Sequence, residues 1–396
     1  MLKNTLENEK KLKKYLEKRD SVNLDIVEVF SAIALFYGVN GIKKTRDILE
    51  ASSYLKHTKH MVFILFDGFG YSKLQSMKDT SILKQNLVKK INTVNPTSTA
   101  CVLTSIMSLK YPNEHGIYGW WNYNMNMNLS YFPLLFEERK TGEDLESKNI
   151  KIKDIFNFEP VFNKFKCKVN VYESIDLINS TYTKMFSKNT CNYGYRSIKD
   201  LFNKLEKNLK SEMLPTFNYV YIDGLDEISH MYGVNSHEAN SIIDEVEQGI
   251  KNITNNISDV STVLTADHGQ IEMTSMLYLN QNFDYTKYFY APPSIDTRTI
   301  SFFVKKEYLE DFKTKFLQEF SLDAILLEKE RVEELKLFGR QNFSSEAKKS
   351  LGEYIAVIVN NKFMVCDKLE KEDKINTKGN HSGLTEEETK VPLIVI

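Results

Sequence analysis

The sequence predicts an α/β fold in which a mostly parallel β-sheet is flanked by helices. Three short runs, Val62–Phe66, Tyr219–Ile222 and Val263–Leu264, consist only of aliphatic and aromatic residues. They lack the alternation of a strand with one wet face, so they fit strands buried on both sides of a parallel sheet. From about His60 to Gln270 such runs alternate with helical patterns, which is the order that βαβ units produce.

Acidic residues follow each of these runs. The first run leads into Asp67, the second into Asp223 and Asp226, and the third into Asp267 and His268. Open α/β sheets bind their ligands just beyond the carboxyl ends of the strands. We therefore expect these side chains to converge, although they are far apart in the sequence.

The composition excludes several classes of protein. The chain has 396 residues, of which 42% are hydrophobic and 27% charged, so it is neither disordered nor fibrous. Its 52 basic and 53 acidic residues nearly cancel, which predicts no overall field for binding nucleic acid or an anionic membrane. An anionic substrate must therefore be held by local groups.

The sequence favours a cytoplasmic protein that does not enter a membrane. Residues 1–20 are rich in Lys and Glu and contain no apolar core of signal-peptide length. The best apolar candidate, Val27–Val39, contains Glu28 and is too short to span a bilayer. The four cysteines are widely spaced without a Cys-x-x-Cys pair, which suits reduced thiols.

The elements divide into three parts. Residues 1–56 carry apolar residues at helical spacing and predict an N-terminal helical layer. Residues 57–290 and 379–396 form the predicted core, because the final strand pattern at 391–396 returns to the main sheet. Residues 291–378, which follow the composition shift at Tyr290-Ala291-Pro292-Pro293, predict a small inserted α+β subdomain.

Within the insert we expect one strand, two helices and a hairpin. The strand is placed at 299–304, the helices at 308–320 and 331–337, and the hairpin at 354–365 with Asn360-Asn361 at its turn. The insert contains no His between Ser294 and Phe363, and its carboxylates follow helical charge patterns, so we expect no metal ligand from it. In the core, the polar segment Asn122–Asn128 predicts a loop that could serve as a lid.

Two spacings point to metal chelation. Asp226 and His230 are four residues apart, so one helical turn places both on the same face. Asp267 and His268 form a second pair, followed by Gly269, which permits a tight turn. His381, also followed by small residues, is a candidate third imidazole. Mixed imidazole and carboxylate ligands favour zinc, or manganese in a harder site.

Three hydroxyl residues provide candidates for a nucleophile near Asp67. Thr97, Ser98 and Thr99 precede a predicted helix at 101–109, whose N-terminus would favour an anionic phosphate. Two divalent ions close together would clamp the attacking and leaving oxygens of an in-line displacement at phosphorus. Hydroxyls in such a turn also commonly shape it and cap the helix, which is the structural alternative for Thr97 and Ser98.

Six ordered motifs resemble those of the type I phosphodiesterases/nucleotide pyrophosphatases, which belong to the alkaline phosphatase superfamily. The motifs are Asp67-Gly68, the stretch 96–99, the stretch 111–117, Asp226 to His230 with Gly233, Asp267-His268-Gly269 and His381-Ser382-Gly383. The resemblance covers residues 60–270 and 379–396 well and the insert loosely. It implies an alkaline-phosphatase-like core and a small-molecule phosphodiester or nucleotide substrate.

The resemblance also implies roles for individual residues. One zinc ion would be bound by Asp226, His230 and His381. The other would be bound by Asp67, Asp267, His268 and the Thr99 hydroxyl. Thr99 aligns with the family's nucleophile, which implies attack on phosphorus, a phospho-threonine intermediate and its hydrolysis by an activated water. His115 would lie outside the metal set as a structural residue.

The chain departs from the family's pattern at the phosphate-binding position. Eukaryotic-type members carry Asn three residues after the nucleophile, where this chain has Val102. Trp120, Trp121 and Asn122 could supply a stacking wall and a polar donor instead, although the two Trp residues fit core packing equally well. Ser229 replaces the Gly usual before the metal-binding His, a change small enough to leave the site intact.

Two other functions use the same residues. A phosphomonoesterase or phosphotransferase of the superfamily would use the same ions, but alkaline phosphatases add an arginine clamp, and the first Arg after Thr99 is Arg139. A non-catalytic, metal-dependent binding protein would keep the ligands without turnover, and the presence of Thr99 argues against it. We therefore expect a hydrolase that prefers phosphodiesters or pyrophosphates to phosphomonoesters.

Overall fold

The computed structural model describes residues 2–366 and 377–396 and confirms an α/β architecture. The stretch 367–376, part of the predicted insert, lies outside the described residues. The strands in chain order are β1 (His60–Phe66), β2 (Leu87–Asn92), β3 (Asn122–Asn124), β4 (Leu129–Phe132), β5 (Glu137–Glu138), β6 (Lys168–Ser174), β7 (Cys191–Tyr195), β8 (Thr216–Ile222), β9 (Val260–Thr265), β10 (Ile271–Glu272), β11 (Ser275–Tyr278), β12 (Phe289–Ile295), β13 (Thr299–Val304), β14 (Ala324–Glu328), β15 (Tyr354–Ile358), β16 (Lys362–Val365), β17 (Gly379–Asn380) and β18 (Lys390–Val395).

Helices flank and connect these strands. In chain order they are α1 (Leu2–Asp20), α2 (Ile26–Phe36), α3 (Arg46–Tyr54), α4 (Tyr71–Ser76), α5 (Ile82–Gln85), α6 (Thr99–Ser108), α7 (Pro112–His115), α8 (Ile152–Ile155), α9 (Thr181–Phe186), α10 (Ile198–Ser211), α11 (Gly224–Tyr232), α12 (His237–Asn256), α13 (Leu309–Phe320), α14 (Lys329–Glu334), α15 (Ser345–Lys349) and α16 (Glu386–Thr389). Short 3₁₀ turns lie at Glu146–Lys148, Val161–Lys164, Thr286–Tyr288 and Lys306–Tyr308. Among the described residues, no helix is both long enough and apolar enough to cross a bilayer.

The central sheet has the order β2-β18-β9-β1-β8-β6-β7. β1 runs parallel to both β8 and β9, and all of its residues are buried, as expected for a strand covered on both faces. Leu65 lies opposite Tyr221 on one side and Thr265 on the other. This register brings the carboxyl ends of β1, β8 and β9 to one edge of the sheet, which positions the site.

The C-terminal strand joins the main sheet, as predicted. β18 pairs antiparallel with both β2 and β9 and is buried along its length. The sheet is therefore mostly parallel with one antiparallel strand in its interior.

The N-terminal helices contact both the core and the insert. α2 is buried along most of its length and packs on the main sheet, where the rings of Phe30 and Phe63 lie 5.1 Å apart. α1 lies against the insert: Asn8 Nδ2 donates to the carbonyl oxygens of Ser321 and Ala324, at 2.6 and 3.1 Å.

The insert is built on an antiparallel sheet of the order β12-β13-β15-β14. α13 covers one face of this sheet through the buried residues Phe312, Phe316 and Phe320, which recur every four residues. These elements confirm the predicted strand at 299–304 and the predicted helix at 308–320.

The predicted hairpin at 354–365 is wrong in its pairing. β15 pairs with β13 and β14, whereas β16 pairs parallel with β11 in a separate two-stranded sheet. The two strands exist where expected, but partners distant in sequence take up their backbone hydrogen bonds. The Asn360-Asn361 pair therefore connects two sheets.

The polar segment Asn122–Asn128 is also more ordered than the predicted loop. Asn122–Asn124 is strand β3, which pairs antiparallel with β4. Asn is a poor strand former, but Tyr123 between the asparagines is buried, with its ring 4.7 Å from that of Phe303 in the insert. Tertiary packing outweighs the local preference here.

Candidate metal centre

The strand ends bring three carboxylates together. Asp67 follows β1, Asp267 follows β9, and Asp226 lies in the first turn of α11 after β8. Backbone hydrogen bonds fix them: Asp67 N donates to Ile222 O at 2.9 Å, and Gly68 N donates to Asp267 Oδ1 at 3.1 Å. The predicted convergence at the carboxyl edge of the sheet is therefore observed.

One group of potential ligands surrounds His268. Its Nε2 lies 3.5 Å from Asp67 Oδ1 and 3.4 Å from Asp267 Oδ2. Thr99 Oγ1 lies 3.2 Å from the same nitrogen. The ligand atoms of Asp67, Asp267 and His268 all lie within 4.8 Å of one another. These are the four residues that the resemblance assigns to one ion.

A second group surrounds Asp226. His230 Nε2 lies 3.3 Å from Asp226 Oδ2, and His381 Nε2 lies 3.7 Å from Asp226 Oδ1. The ligand atoms of Asp226, His268 and His381 all lie within 4.8 Å of one another. His268 therefore lies between the two groups, and His230 lies outside this compact set. Both ligands predicted by the four-residue spacing are on α11, on the same helical face.

The three imidazoles are oriented alike. His230 Nδ1 lies 2.7 Å from Gly379 O, His268 Nδ1 lies 3.2 Å from Gly269 O, and His381 Nδ1 lies 2.8 Å from Thr97 O. A carbonyl acceptor at Nδ1 selects the tautomer with its proton on that atom and leaves the Nε2 lone pair pointing into the site. This is the arrangement of metal-binding histidines.

The carboxylates form a cluster that a cation would stabilise. Asp67 Oδ1 and Asp267 Oδ2 are buried and accept no hydrogen bond from the described residues. Burial, together with the charges of Asp267 and Asp226, raises the pKa of Asp67 well above its ordinary value. Burial would also raise the pKa of Asp226, but the neighbouring His230 lowers it below its ordinary value. Buried carboxylate oxygens facing three imidazole lone pairs fit two divalent cations.

Two polar residues that the sequence analysis did not single out orient these carboxylates. Tyr221 donates its hydroxyl proton to Asp67 Oδ2, and Gln270 Nε2 donates to Asp226 Oδ1. Such partners fix the direction in which a ligand oxygen points. No local signal could have found these contacts, because Tyr221 is 154 residues from Asp67 and Gln270 is 44 residues from Asp226 in the sequence.

The three hydroxyl residues before α6 have different surroundings. Thr99 is the first residue of the helix and faces His268. Thr97 Oγ1 donates to Gly383 O and accepts from Ser382 N, at 3.1 and 3.0 Å. Ser98 occupies the N-cap position, but its hydroxyl donates to Asp296 Oδ2 at 3.0 Å and makes no capping bond. The predicted capping role of Ser98 is therefore wrong, since the insert supplies a competing acceptor.

Two candidates from the sequence lie apart from the centre. Asp223 accepts from Ser174 Oγ at 3.2 Å and so takes no part in either group. His115 is partly buried, with Nε2 2.9 Å from Ser105 Oγ, which agrees with its expected structural role. Burial, followed by the charge of Lys110, lowers the pKa of His115 to about 3, so this imidazole is neutral.

The predicted substrate contacts differ in exposure. Asn122 is buried, with Oδ1 accepting from Tyr118 N and Nδ2 donating to Gly119 O, so its polar atoms hold its own turn together. Trp121 is buried under the guanidinium of Arg139, 4.5 Å from the ring centre. Trp120 is partly exposed, so it is the residue for which stacking on a substrate stays a prediction.

Two departures from the family pattern have local explanations. Val102 is fully buried in the main hydrophobic core, so this position does not face the solvent at the site. Ser229 is buried in α11, and its carbonyl oxygen accepts from Gly233 N at 2.9 Å at the end of the helix. Neither side chain replaces the family's Asn as a hydrogen-bond donor to a phosphate oxygen.

Gly269 is required by a close approach of two chain segments. A Cβ atom there would lie 2.0 Å from Glu387 O and 2.8 Å from Gly70 Cα. The sequence predicts a tight turn at Gly269, but φ at this residue is not positive, so packing is the reason for Gly.

A buried ion pair anchors the loop that carries His381. Arg298 Nε donates to Glu388 Oε1 at 2.7 Å, and both side chains are 0% exposed. Glu388 Oε1 also accepts from Gly383 N at 2.7 Å, and Arg298 N donates to Ser382 Oγ at 3.1 Å. The insert and the His381 loop are therefore joined through one charged network.

Glu388→Gln is expected to lower the free energy of unfolding by about 3 to 5 kcal/mol, because it leaves the Arg298 charge buried without its partner. Denaturant unfolding followed by circular dichroism measures this loss. The matched control is Glu334→Gln, which breaks the exposed Arg331–Glu334 pair and should cost at most about 1 kcal/mol. Equal, small effects of both changes would contradict the anchoring role.

Known proteins resemble this chain in sequence profile and fold. The family described as type I phosphodiesterase/nucleotide pyrophosphatase matches residues 61–384. No curated protein has a significant sequence match. Murine ectonucleotide pyrophosphatase/phosphodiesterase 5 has a similar structure, with a TM-score of 0.63, 14% identity, and coverage of 84% of this chain and 87% of that one. An inactive variant of the murine protein was solved in complex with AMP, with a TM-score of 0.63, 13% identity, and coverage of 85% and 87%.

A bacterial enzyme shows a comparable likeness. Phosphonoacetate hydrolase from Sinorhizobium meliloti 1021, in complex with phosphonoformate, has a TM-score of 0.62 and 14% identity, with coverage of 90% of this chain and 92% of that one. At these identities the solved structures establish the fold alone.

Proposed function

Because this chain belongs to the type I phosphodiesterase/nucleotide pyrophosphatase family, we propose that it hydrolyses a phosphodiester or pyrophosphate bond in a nucleotide-type substrate through a phospho-threonine intermediate on Thr99. The family makes it a phosphoric ester hydrolase. The geometry around Thr99 supports this residue as the nucleophile.

The observation that carries the proposal is the position of the Thr99 hydroxyl. Thr99 Oγ1 lies 3.2 Å from His268 Nε2, among the carboxylates and imidazoles of the candidate metal centre. Thr99 also begins α6, where the first backbone N–H groups have no intrahelical acceptor. A hydroxyl beside ligand groups and at a helix N-terminus is placed to attack an anionic phosphoryl group.

Two divalent cations fit the centre, and we propose zinc for both, with manganese as the alternative. Asp226, His230 and His381 would hold one, and Asp67, Asp267, His268 and the Thr99 hydroxyl the other. When bound, such ions polarise the phosphoryl oxygens and stabilise negative charge that develops on the attacking and leaving oxygens.

The chain's own residues position the reaction. Thr99 Oγ forms a bond to phosphorus as the bond to the leaving oxygen breaks, and water later cleaves the phospho-threonine. The free N–H groups at the start of α6 can donate to a phosphoryl oxygen, and the helix dipole favours its negative charge. Tyr221 and Gln270 keep the carboxylates aimed into the site.

The surroundings of the centre favour a substrate with one negative charge on phosphorus. A phosphomonoester carries nearly two charges and calls for a cationic clamp in addition to the ions. Arg298, on the insert turn next to the site, is fully buried and bound to Glu388, and Arg139 lies over Trp121. Lys110 lies beyond the far end of α6 from Thr99.

We expect kcat/KM for an aryl nucleotide diester to exceed that for an aryl phosphate monoester by at least about tenfold, which corresponds to about 1.4 kcal/mol of transition-state stabilisation. Both esters should carry the same aryl leaving group and be measured at the same metal load. Phosphonoacetate and a dinucleoside polyphosphate should be tested as further substrates. A monoester preference of tenfold or more would move the protein to the phosphatase alternative.

A further inference from the structure

We propose that Asp296 is a specificity-determining residue that disfavours doubly charged phosphomonoesters at the Thr99 site, while its hydrogen bond to Ser98 positions the nucleophile loop. This inference rests on the proposed function and deepens it. It assigns the choice between diester and monoester to a side chain of the insert, a part of the chain from which no metal ligand is expected.

The turn between β12 and β13 brings Asp296 to the site. Asp296 N donates to Thr299 O at 3.0 Å and closes the turn. The turn contacts the loop that carries His381: Thr297 Oγ1 lies 3.3 Å from Asn380 Oδ1, and Thr299 Oγ1 donates to Ser382 O at 2.6 Å. The tip of the insert is therefore docked directly beside a metal-ligand residue.

The Asp296 carboxylate also contacts the nucleophile loop. Asp296 Oδ2 accepts from Ser98 Oγ at 3.0 Å, and Ser98 is covalently joined to Thr99. Asp296 Oδ1 accepts from Thr297 N at 2.8 Å, which fixes the carboxylate plane. Because the Ser98 hydroxyl is held by Asp296, it does not cap α6, and the helix N-terminus stays open toward the phosphoryl position.

The residue before Asp296 is rigidly held. Ile295 has φ of 85°, a rare conformation for a β-branched residue. It is paired with Trp121 through two backbone hydrogen bonds of 2.8 and 3.1 Å. A Cβ atom at Gly119 would lie 2.4 Å from Ile295 O, so only Gly permits this contact. The carboxylate is thus held in place by segments from both the core and the insert.

The arginine nearest to Asp296 in the sequence does not pair with it. Arg298, two residues further along the turn, is bound to Glu388, and its Nη1 donates to Asn360 O and Lys362 O. With two divalent ions bound, the carboxylates of Asp67, Asp226 and Asp267 would leave the centre with one net positive charge. A phosphodiester monoanion would neutralise it. The second charge of a monoester would instead meet the Asp296 carboxylate.

The decisive experiment compares Asp296→Asn with Asp296→Glu and Ser98→Ala. Asp296→Asn keeps a hydrogen-bond acceptor for Ser98 but removes the charge. We expect the ratio of kcat/KM for the aryl monoester to that for the aryl diester to rise roughly tenfold, the size expected for one unit charge at about 10 Å with an effective dielectric constant of about 20. Asp296→Glu should keep the wild-type ratio. Ser98→Ala should lower kcat for both substrates by a similar factor and leave the ratio unchanged.

A binding measurement tests the charge effect without turnover. Inorganic phosphate, a dianion near neutral pH, should bind the metal-loaded Asp296→Asn protein several-fold more tightly than the wild type in calorimetry, with the difference shrinking as salt is added. Asp296→Ser is a second neutral variant in case Asp296→Asn unfolds. An unchanged ester ratio and unchanged phosphate affinity in a folded neutral variant would overturn the inference. If the wild type cleaves neither ester, the proposed function fails, while the phosphate affinities still decide the role of Asp296.

Discussion

Thr99→Ala is expected to lose nearly all turnover while keeping its fold and most of its metal. The substitution removes the attacking oxygen but none of the carboxylates or imidazoles of the centre. We expect kcat to fall at least about a thousandfold, or about 4 kcal/mol of transition-state stabilisation. Steady-state kinetics with an aryl nucleotide diester measure the loss, and metal analysis and circular dichroism test whether the site and the fold persist.

Neighbouring hydroxyls provide matched controls for this change. Ser98→Ala and Thr97→Ala should be milder, with Thr97→Ala the more damaging, because its hydroxyl holds Ser382 and Gly383 beside His381. Acid-quenched wild-type enzyme should yield phosphate on the peptide that contains Thr99, and the Thr99→Ala protein should not. Retention of more than about a tenth of wild-type kcat by Thr99→Ala, a loss below about 1.4 kcal/mol, would mean that the nucleophile is misassigned.

Removal of divalent metal is expected to abolish activity and to lower thermal stability. The protein purified without chelator should contain two equivalents of divalent ion, because two groups of ligands converge in the site. A ligand that binds only the folded state stabilises it, so the loaded protein should melt at a higher temperature than the stripped one. Elemental analysis measures the ion content and melting curves measure the thermal stability. Reconstitution with zinc or manganese tests whether activity returns.

Substitution of single carboxylates shows whether the two groups are separate. Asp267→Asn should reduce the metal content from two equivalents toward one. Asp223→Asn is the matched control, because Asp223 is also a strand-end carboxylate but contacts Ser174, and it should retain both ions. A content of no more than one ion per chain in the wild type, with no gain in activity on adding zinc or manganese, would contradict the two-ion centre.

Much of the site could be predicted from the sequence because its signals are local. A strand buried on both faces is continuously apolar, so the positions of Asp67 and Asp267 at strand ends are readable from the residues that precede them. The four-residue spacing of Asp226 and His230 is a property of one helix and needs no knowledge of the rest of the fold. The motif order that resembles the family added Thr99 and His381.

The errors in secondary structure and strand pairing arose where a residue's partner is distant in sequence. Residues 354–358 and 362–365 form strands as predicted, but β16 pairs with β11, because a strand takes its partner from the neighbour that the tertiary fold presents. Tyr123 lies between asparagines, which are poor strand formers, so the sequence predicted a loop there. In the structure this segment is a strand, and the Tyr123 ring packs against Phe303. Asn122 was proposed as a donor to substrate, yet its amide satisfies the backbone of its own turn.

The sequence by itself determined the fold class, the edge of the sheet at which the site lies and the candidate ligand residues at the strand ends, because burial and helical periodicity act on neighbouring residues. Only the tertiary structure decided that Tyr221 and Gln270 orient the carboxylates, that Arg298 is bound away from the site, and that Asp296 reaches Ser98 across 198 residues. No local pattern encodes such contacts, since each depends on how a turn of the insert packs against loops of the core or on which strands become neighbours.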